Sequence, residues 1–241
     1  IRRQRQMCIR DSDTTAVREN GDINATRLEA GLYGTIERGT WNAKVYNYNS
    51  ERGIPGAIVN NVWRRGERVW DTNSFFQGSF VKEVNDQFKT QVNAKYAFYR
   101  THYVNNDDKL IEVDNLYKQR EVYVSTANMY TIFPFWDVSM SYDFQWNEMK
   151  ADMYGFVFPT RFTNLLSIAT ALRLGKVKLQ GSGLATFVND RVKEGPAPKA
   201  RQILTPAVFL SYKPFDKHDF SLRAFYKKTF RMPTFCLLYT S

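Results

Sequence analysis

The chain has 241 residues, of which 43% are hydrophobic and 24% charged, a balance that excludes a disordered, low-hydrophobicity polypeptide. Mean hydropathy is −0.48, and no stretch approaches the ~18 consecutive apolar residues of a membrane helix; half-apolar membrane strands remain compatible with such a value. Basic residues outnumber acidic ones by 34 to 24, net +10, but the excess is thinly spread. Residues 1–12 hold four Arg against one Asp; elsewhere the densest basic patch, Arg64, Arg65 and Arg68, carries Glu67 within it, which argues against nucleic acid as a partner.

Ile1–Ser12 (IRRQRQMCIRDS) shows no periodicity, and Cys236–Ser241 (CLLYTS) breaks off an alternating pattern abruptly. Both strings resemble translated sequencing-adapter read-through. The expected organisation is therefore a folded span, residues 13–235, between non-native tails at 1–12 and 236–241. The two cysteines, Cys8 and Cys236, fall in those tails and enter no disulfide or metal expectation. No apolar segment of signal-peptide length follows the N-terminal arginines.

Between the tails the pattern predicts ten strands, at about 28–38, 41–49, 73–83, 87–104, 117–130, 136–148, 162–174, 177–190, 202–213 and 218–230. In the fourth, Val92, Ala94, Tyr96 and Phe98 alternate with Gln91, Asn93, Lys95 and Ala97. The sixth reads WDVSMSYDFQWN, with Trp136, Val138, Met140, Tyr142, Phe144 and Trp146 apolar and every intervening residue polar. Leu166, Ile168, Leu172 and Leu174 continue the pattern in the seventh strand, and Phe220, Leu222, Ala224 and Tyr226 in the tenth. Several strands run well beyond the five or six residues usual in soluble sheets.

The connections alternate in length. Short ones fall near Gly39–Thr40, 84–86, 131–135, Gly175–Lys176 and 214–217; long ones span about 50–72, 104–117, 149–161 and 190–201. A meander trimmed at one end and elaborated at the other is the habit of outer-membrane barrels, and a Greek-key sandwich has no reason to produce it. Trp136 and Trp146 lie ten residues apart on one strand face, about 34 Å along the strand and about 26 Å along the normal of a membrane if tilted by about 40°. That approximates the apolar band of a membrane barrel with its aromatic girdles. Trp136 and Trp146 are accordingly expected at the girdles. Val138, Met140, Tyr142, Phe144, Leu166, Ile168, Leu172 and Leu222 are expected to face lipid, and Asp137, Asp143, Arg173, Lys178, Arg223 and Lys227 the lumen. Pro206 and the pair Gly181 and Gly183 interrupt otherwise regular strands.

Other chemistry is thinly represented. The two histidines, His102 and His218, have no second ligand at metal spacing, so no metal and no cofactor is expected. Asn105–Asp108 reads as a polar hairpin loop before it reads as a calcium site. Gly181-Ser182-Gly183 lacks the helix and Lys-Ser/Thr pair of a phosphate loop. No convergent acid, base and nucleophile marks an enzyme. The weak ligand-binding candidates are the loop aromatics Trp63, Trp70, Tyr154 and Phe156, which could equally pack the loops together.

The segment Phe220–Phe235 (FSLRAFYKKTFRMPTF) resembles a barrel strand and following loop of TonB-dependent outer-membrane receptors, especially of the Bacteroidetes type. Arg231, Pro233, Thr234 and Phe235 match that family's Arg-x-Pro-Thr-Phe run, after which Cys236 departs from it; Ala207–Phe215 and the hairpin at Gly175 are similar in style. The resemblance implies part of a 22-stranded barrel in a Gram-negative outer membrane. It implies a receptor that binds a scarce ligand, such as an iron chelate, cobalamin or glycan, and imports it with energy delivered by the TonB complex through a plug domain not visible in this chain. A passive porin, another outer-membrane barrel and a soluble β-rich binding domain are the alternatives.

Overall fold

The computed structural model describes residues 8–11, 14–17, 20–55, 66–106, 112–215 and 219–230. Two short strands, β1 (Cys8–Asp11) and β2 (Thr14–Val17), pair with each other as a separate ribbon. The remaining strands are β3 (Ile23–Ile36), β4 (Gly39–Gly53), β5 (Arg68–Glu83), β6 (Phe88–Asn105), β7 (Val113–Phe133), β8 (Trp136–Ala151), β9 (Thr160–Leu174), β10 (Val177–Arg191), β11 (Arg201–Tyr212) and β12 (Leu222–Lys227). They form one ten-stranded antiparallel meander in sequence order, with β3 and β12 at its edges. The sheet is not closed, and no helix occurs among the described residues.

The ten-strand meander read from the alternation is the architecture found. It differs at the strand ends. β4, β5, β7 and β8 continue further toward the long connections than the alternation reaches, because there apolar and polar residues no longer sort to opposite faces while the backbone ladder continues. The first hairpin turns at Glu37–Arg38, with Ile36 paired to Gly39, rather than at Gly39–Thr40. The last strand is only Leu222–Lys227. The β1–β2 ribbon has no counterpart in the reading of residues 1–12 as an aperiodic tail; residues 1–7, 12–13 and 231–241, including the segment Arg231–Phe235, lie outside the described residues.

The tight turns carry their own chemistry. Gly175, with φ +54°, is the first of two loop residues between Leu174 and Val177, the position a type II′ hairpin gives to glycine. Asn85 accepts hydrogen bonds at its Oδ1 from the backbone N–H groups of Gln87 and Phe88, 2.9 and 2.7 Å, closing the turn between β5 and β6. A register shift between Thr131 and Phe133 inserts an extra residue in β7. It brings Phe133 opposite Trp136, with the rings 6.4 Å apart.

Pro206 is accommodated by its position. Its carbonyl accepts the Lys228 N–H at 3.1 Å, so its nitrogen faces the same flank, where β12 has ended its pairing at Lys227. No ladder bond to β10 is lost.

Cross-strand pairing sorts the residues onto two faces. One face carries Leu32, Val45, Phe76, Tyr96, Val122, Met140, Ile168, Leu179 and Val208. From the tight turns out to the cross-strand row Phe76–Tyr96–Val122–Trp146–Phe162, Lys82 beside its turn is the one charged residue on that face. The other face is polar. Every buried non-glycine strand residue whose burial is described lies on it, including Val69, Ala97, Ser125, Asn147 and Asp190. The apolar face meanwhile leaves Leu32, Val45, Phe76, Met140 and Ile168 between 49% and 70% exposed. Crowding on one side and exposure on the other mean that the sheet curves toward its polar face, and the fold has no core between layers.

Candidate functional site on the concave wall

The concave face is organised by one cross-strand row running Glu29, Tyr46, Phe75, Ala97, Glu121, Asn147, Arg161, Asp190 across β3 to β10. Glu29 accepts from Arg27 at 2.5 Å and from Lys44 at 2.6 Å. Tyr46 and Phe75 stack with centroids 4.7 Å apart and ring planes within 15°. The Lys44 and Lys95 ammonium groups lie 6.0 and 5.7 Å from the Phe75 centroid, so this ring is flanked by two cations. Lys95 also donates to Glu121 at 3.0 Å and to the Tyr99 hydroxyl at 3.1 Å. The single methyl of Ala97 leaves room for this convergence, and it is fully buried beneath it.

Further along the row, Arg161 donates from Nε and Nη2 to the two oxygens of Asp190 at 2.6 and 2.7 Å, in the most buried ion pair described. Two long connections meet beside this end of β9 and β10. In residues 152–159, Phe156 packs edge-to-face on Phe158 and Pro159 is fully buried. Lys193, in residues 192–200, donates its N–H to the Val157 carbonyl at 3.1 Å and sets its ammonium over the Phe158 ring.

Toward the tight turns, Asp137 accepts from Thr131 at 2.8 Å and from Arg173 at 2.6 Å. These residues flank an open hollow of about 460 Å³, lined in part by Met129, Ser139, Gln180, Phe209 and Phe225. The wall is thus a field of fixed, paired charges and aromatic rings. Such a surface can position a polar occupant by hydrogen bonds and stacking.

At the outer ends of β3–β5 a second cluster ties three strands together. Asn20, with φ 61°, donates to the Glu67 carbonyl at 2.7 Å, and Arg68 reaches Asp22 at 2.8 Å and Glu51 at 2.7 Å. The Arg68 guanidinium holds the Asp22 carboxyl below its usual range. Gly53 is required here, since a Cβ would lie 2.1 Å from the Asn20 side-chain oxygen.

The residues singled out from the sequence fall as follows. Trp136, Val138, Met140, Tyr142, Phe144 and Trp146 share the convex apolar face with Leu166, Ile168, Leu172 and Leu222. Asp137, Asp143, Arg173, Lys178, Arg223 and Lys227 share the concave face. Tyr154 stands fully exposed at the tip of its connection, whereas Phe156 is buried beneath it. Trp70 is on the convex face, stacked 5.3 Å from His102, whose Nε2 lies 2.6 Å from Asp114. No ring contact among the described residues brings Trp70 together with Tyr154 or Phe156. Trp63, His218 and Asp107–Asp108 lie outside the described residues. Among the described residues no group of three His, Cys, Asp or Glu side chains is placed to hold a metal ion.

The Glu29–Asp190 row escapes sequence reading. Arg161 and Asp190 are 29 positions apart, and only the β9–β10 register places them side by side.

No protein-family model matches the sequence, and a search of curated proteins finds no relative. Solved structures do match in fold. The ferric citrate transporter FecA in its unliganded form superposes with a TM-score of 0.63 at 13% identity, over 83% of this chain and 35% of that one. BauA, the ferric preacinetobactin receptor of Acinetobacter baumannii, superposes with a TM-score of 0.59 at 13% identity, over 80% of this chain and 38% of that one. The fold is therefore that of the barrel wall of TonB-dependent receptors. The chain spans little more than a third of the length of the solved structures it matches.

Proposed function

We propose that this chain is a stretch of the barrel of an outer-membrane receptor that binds a scarce ligand at its outer face and imports it with TonB-coupled energy. The observation that carries the reading is the apolar face, which from the tight turns out to the Phe76–Tyr96–Val122–Trp146–Phe162 row is free of charge except at Lys82, and which is backed by a concave face rich in paired charges. Hydrocarbon outside and a wet or plugged interior satisfy both faces at once; water on both sides leaves the exposed Leu, Val, Phe and Met residues unaccounted for. Trp136 and Trp146 are then interfacial residues, and Val138, Met140, Tyr142, Phe144, Leu166, Ile168, Leu172 and Leu222 meet lipid. Asp137, Asp143, Arg173, Lys178, Arg223 and Lys227 face the lumen. The likeness to a ferric citrate transporter and a ferric preacinetobactin receptor supports small iron chelates as the first ligand class to try. Cobalamin and glycans come next.

The test has two parts. The isolated segment 13–235 is expected to be insoluble without detergent, because it exposes the apolar face and two unpaired edges; a soluble monomer overturns the membrane reading. The complete gene product is expected to fractionate with outer membranes and to carry a plug domain of roughly 120–150 residues, in keeping with a plugged transporter barrel. It should also restore uptake of a ferric chelate only while the proton gradient is intact. Uptake that persists after the gradient collapses indicates a passive pore instead.

A further inference from the structure

The two halves of the concave face are charged differently. On β3–β8 every cation of that face is matched: Arg27 and Lys44 with Glu29, Arg52 with Asp71 at 3.2 Å, Lys89 with Glu83 at 3.6 Å and Lys95 with Glu121 at 3.0 Å. On β9–β12 the same face carries a single acid, Asp190, which lies at the far end and is bound to Arg161. Nearer the tight turns, Arg173 is paired with Asp137 of β8. Lys178, Arg223 and Lys227 make no ion pair with any described residue, and all three are exposed.

These unmatched cations surround the open hollow of about 460 Å³. Lys227 lines it directly, and Lys178 and Arg223 flank Ser211 in the cross-strand row one step nearer the turns. The floor is low because its side chains are small, Ala169 standing opposite Ser182. Gln180, Phe209 and Phe225 follow one another across β10, β11 and β12 as a wall of one amide and two rings. The volume is that of a small-molecule site. Cations held side by side without counter-ions favour an anion among them, and the Gln180 amide and Ser182 hydroxyl add neutral donors.

We propose that this hollow is a second ligand station, at the periplasmic end of the lumen wall, for a small multiply charged anion such as a polycarboxylate or its ferric chelate. Carboxylate oxygens lie among Lys178, Arg223 and Lys227, and the body of the ligand rests on the small floor against Phe209. The proposal deepens the importer reading and rests on it. The hollow includes Asp137, next to Trp136 at the tight-turn end, so an anion released from the outer face meets it last. Open to water and built on exposed cations, the station holds its ligand weakly, releases it readily and fades with salt.

The experiment uses the complete gene product in detergent micelles, isotope-labelled at its methionine methyl groups. Ferric citrate is paramagnetic and broadens methyl signals close to it; gallium citrate is the diamagnetic control. Met129 lines the hollow, whereas Met140 lies on the opposite face and serves as the internal reference. Ferric citrate is expected to broaden Met129 and spare Met140, with the effect reversed by salt, and an uncharged ferric trihydroxamate is expected to leave Met129 unchanged. K178Q/R223Q/K227Q should weaken the interaction about a hundredfold while K178R/K227R preserves it. Heat-modifiable migration shows that each variant is folded. An unaffected Met129 in folded protein, equal broadening by the neutral chelate, or a triple variant that binds undiminished overturns this proposal alone. Overhauser contacts between Met129 and another segment of the chain, present before any chelate is added and undisturbed by it, assign the hollow to that segment and overturn it as well. Uptake that survives collapse of the gradient, with Met129 still broadened, removes the importer reading and leaves the anion site standing.

Discussion

Arg161 and Asp190 face each other across the β9–β10 ladder and are joined by two parallel hydrogen bonds of 2.6 and 2.7 Å, with both side chains less than a tenth exposed. Removing one partner takes the matching charge away from a largely desolvated group. Asp190→Ala is expected to cost about 3–5 kcal/mol, while the apolar double replacement R161M/D190L is expected to be far milder. Urea unfolding of the complete protein in micelles, with protease cleavage of residues 152–159 as the local readout, measures both. Equal losses for the single and double variants would show that the pair's contribution is packing rather than charge.

Met140 and Ser141 are neighbours on β8 with opposite outlooks, the first in line with Ile168 on the apolar face and the second on the concave face. Met140→Arg near the middle of the band is expected to destabilise the inserted barrel by about 2–4 kcal/mol, and Ser141→Arg by little. Folding titrations into vesicles distinguish the two. Comparable penalties at both positions would contradict the assignment of faces.

The Asp22–Arg68 bridge predicts a pH dependence at the outer ends of β3–β5. Because folding lowers the Asp22 pKa, its contribution is complete above the ordinary carboxylate range and is lost as pH falls through the lowered folded value. Protection against hydrogen exchange at Gly53 and Ile54, whose N–H groups bond the Asp22 and Glu67 carbonyls, should fall on acidification once rates are corrected for the intrinsic pH dependence of exchange. In Asp22→Asn the loss of protection should already be present at neutral pH and vary less with acid.

Gly175 tests the turn chemistry. A side chain at its φ of +54° strains the backbone, so Gly175→Val is expected to cost about 1–2 kcal/mol and Gly175→Asn distinctly less. Nothing lies within 4 Å of a Cβ built there, so a cost arising from crowding is not expected. Refolding rates and urea midpoints of the two variants provide the comparison.

The legible part of this molecule is the part that obeys a two-residue period. Trp136–Trp146 announces its strand because every second side chain is apolar, and the neighbouring strands repeat the rule over the same depth. Where β7 continues back to Val113, Arg120 and Lys118 succeed Val122 on the same face, and alternation no longer separates strand from loop. The bulge that re-aims Phe133 is likewise silent in sequence, since it depends on where Trp136 sits across the turn. The concave row from Glu29 to Asp190 is harder still. Its members come from eight strands, and no local pattern links Lys44 and Lys95 to the Phe75 ring they share.

β7 runs from Val113 to Phe133, and only its half nearest the tight turn lies within the apolar band. Its other half, with the matching parts of β6 and β8, rises as a collar wetted inside and out, secured by backbone pairing and scattered polar clasps. Such a mouth is compliant above a stiff footing, because splaying it breaks no large apolar contact. In the receptor proposed above, that would let the mouth widen around ligands of differing girth while the apolar base keeps its shape.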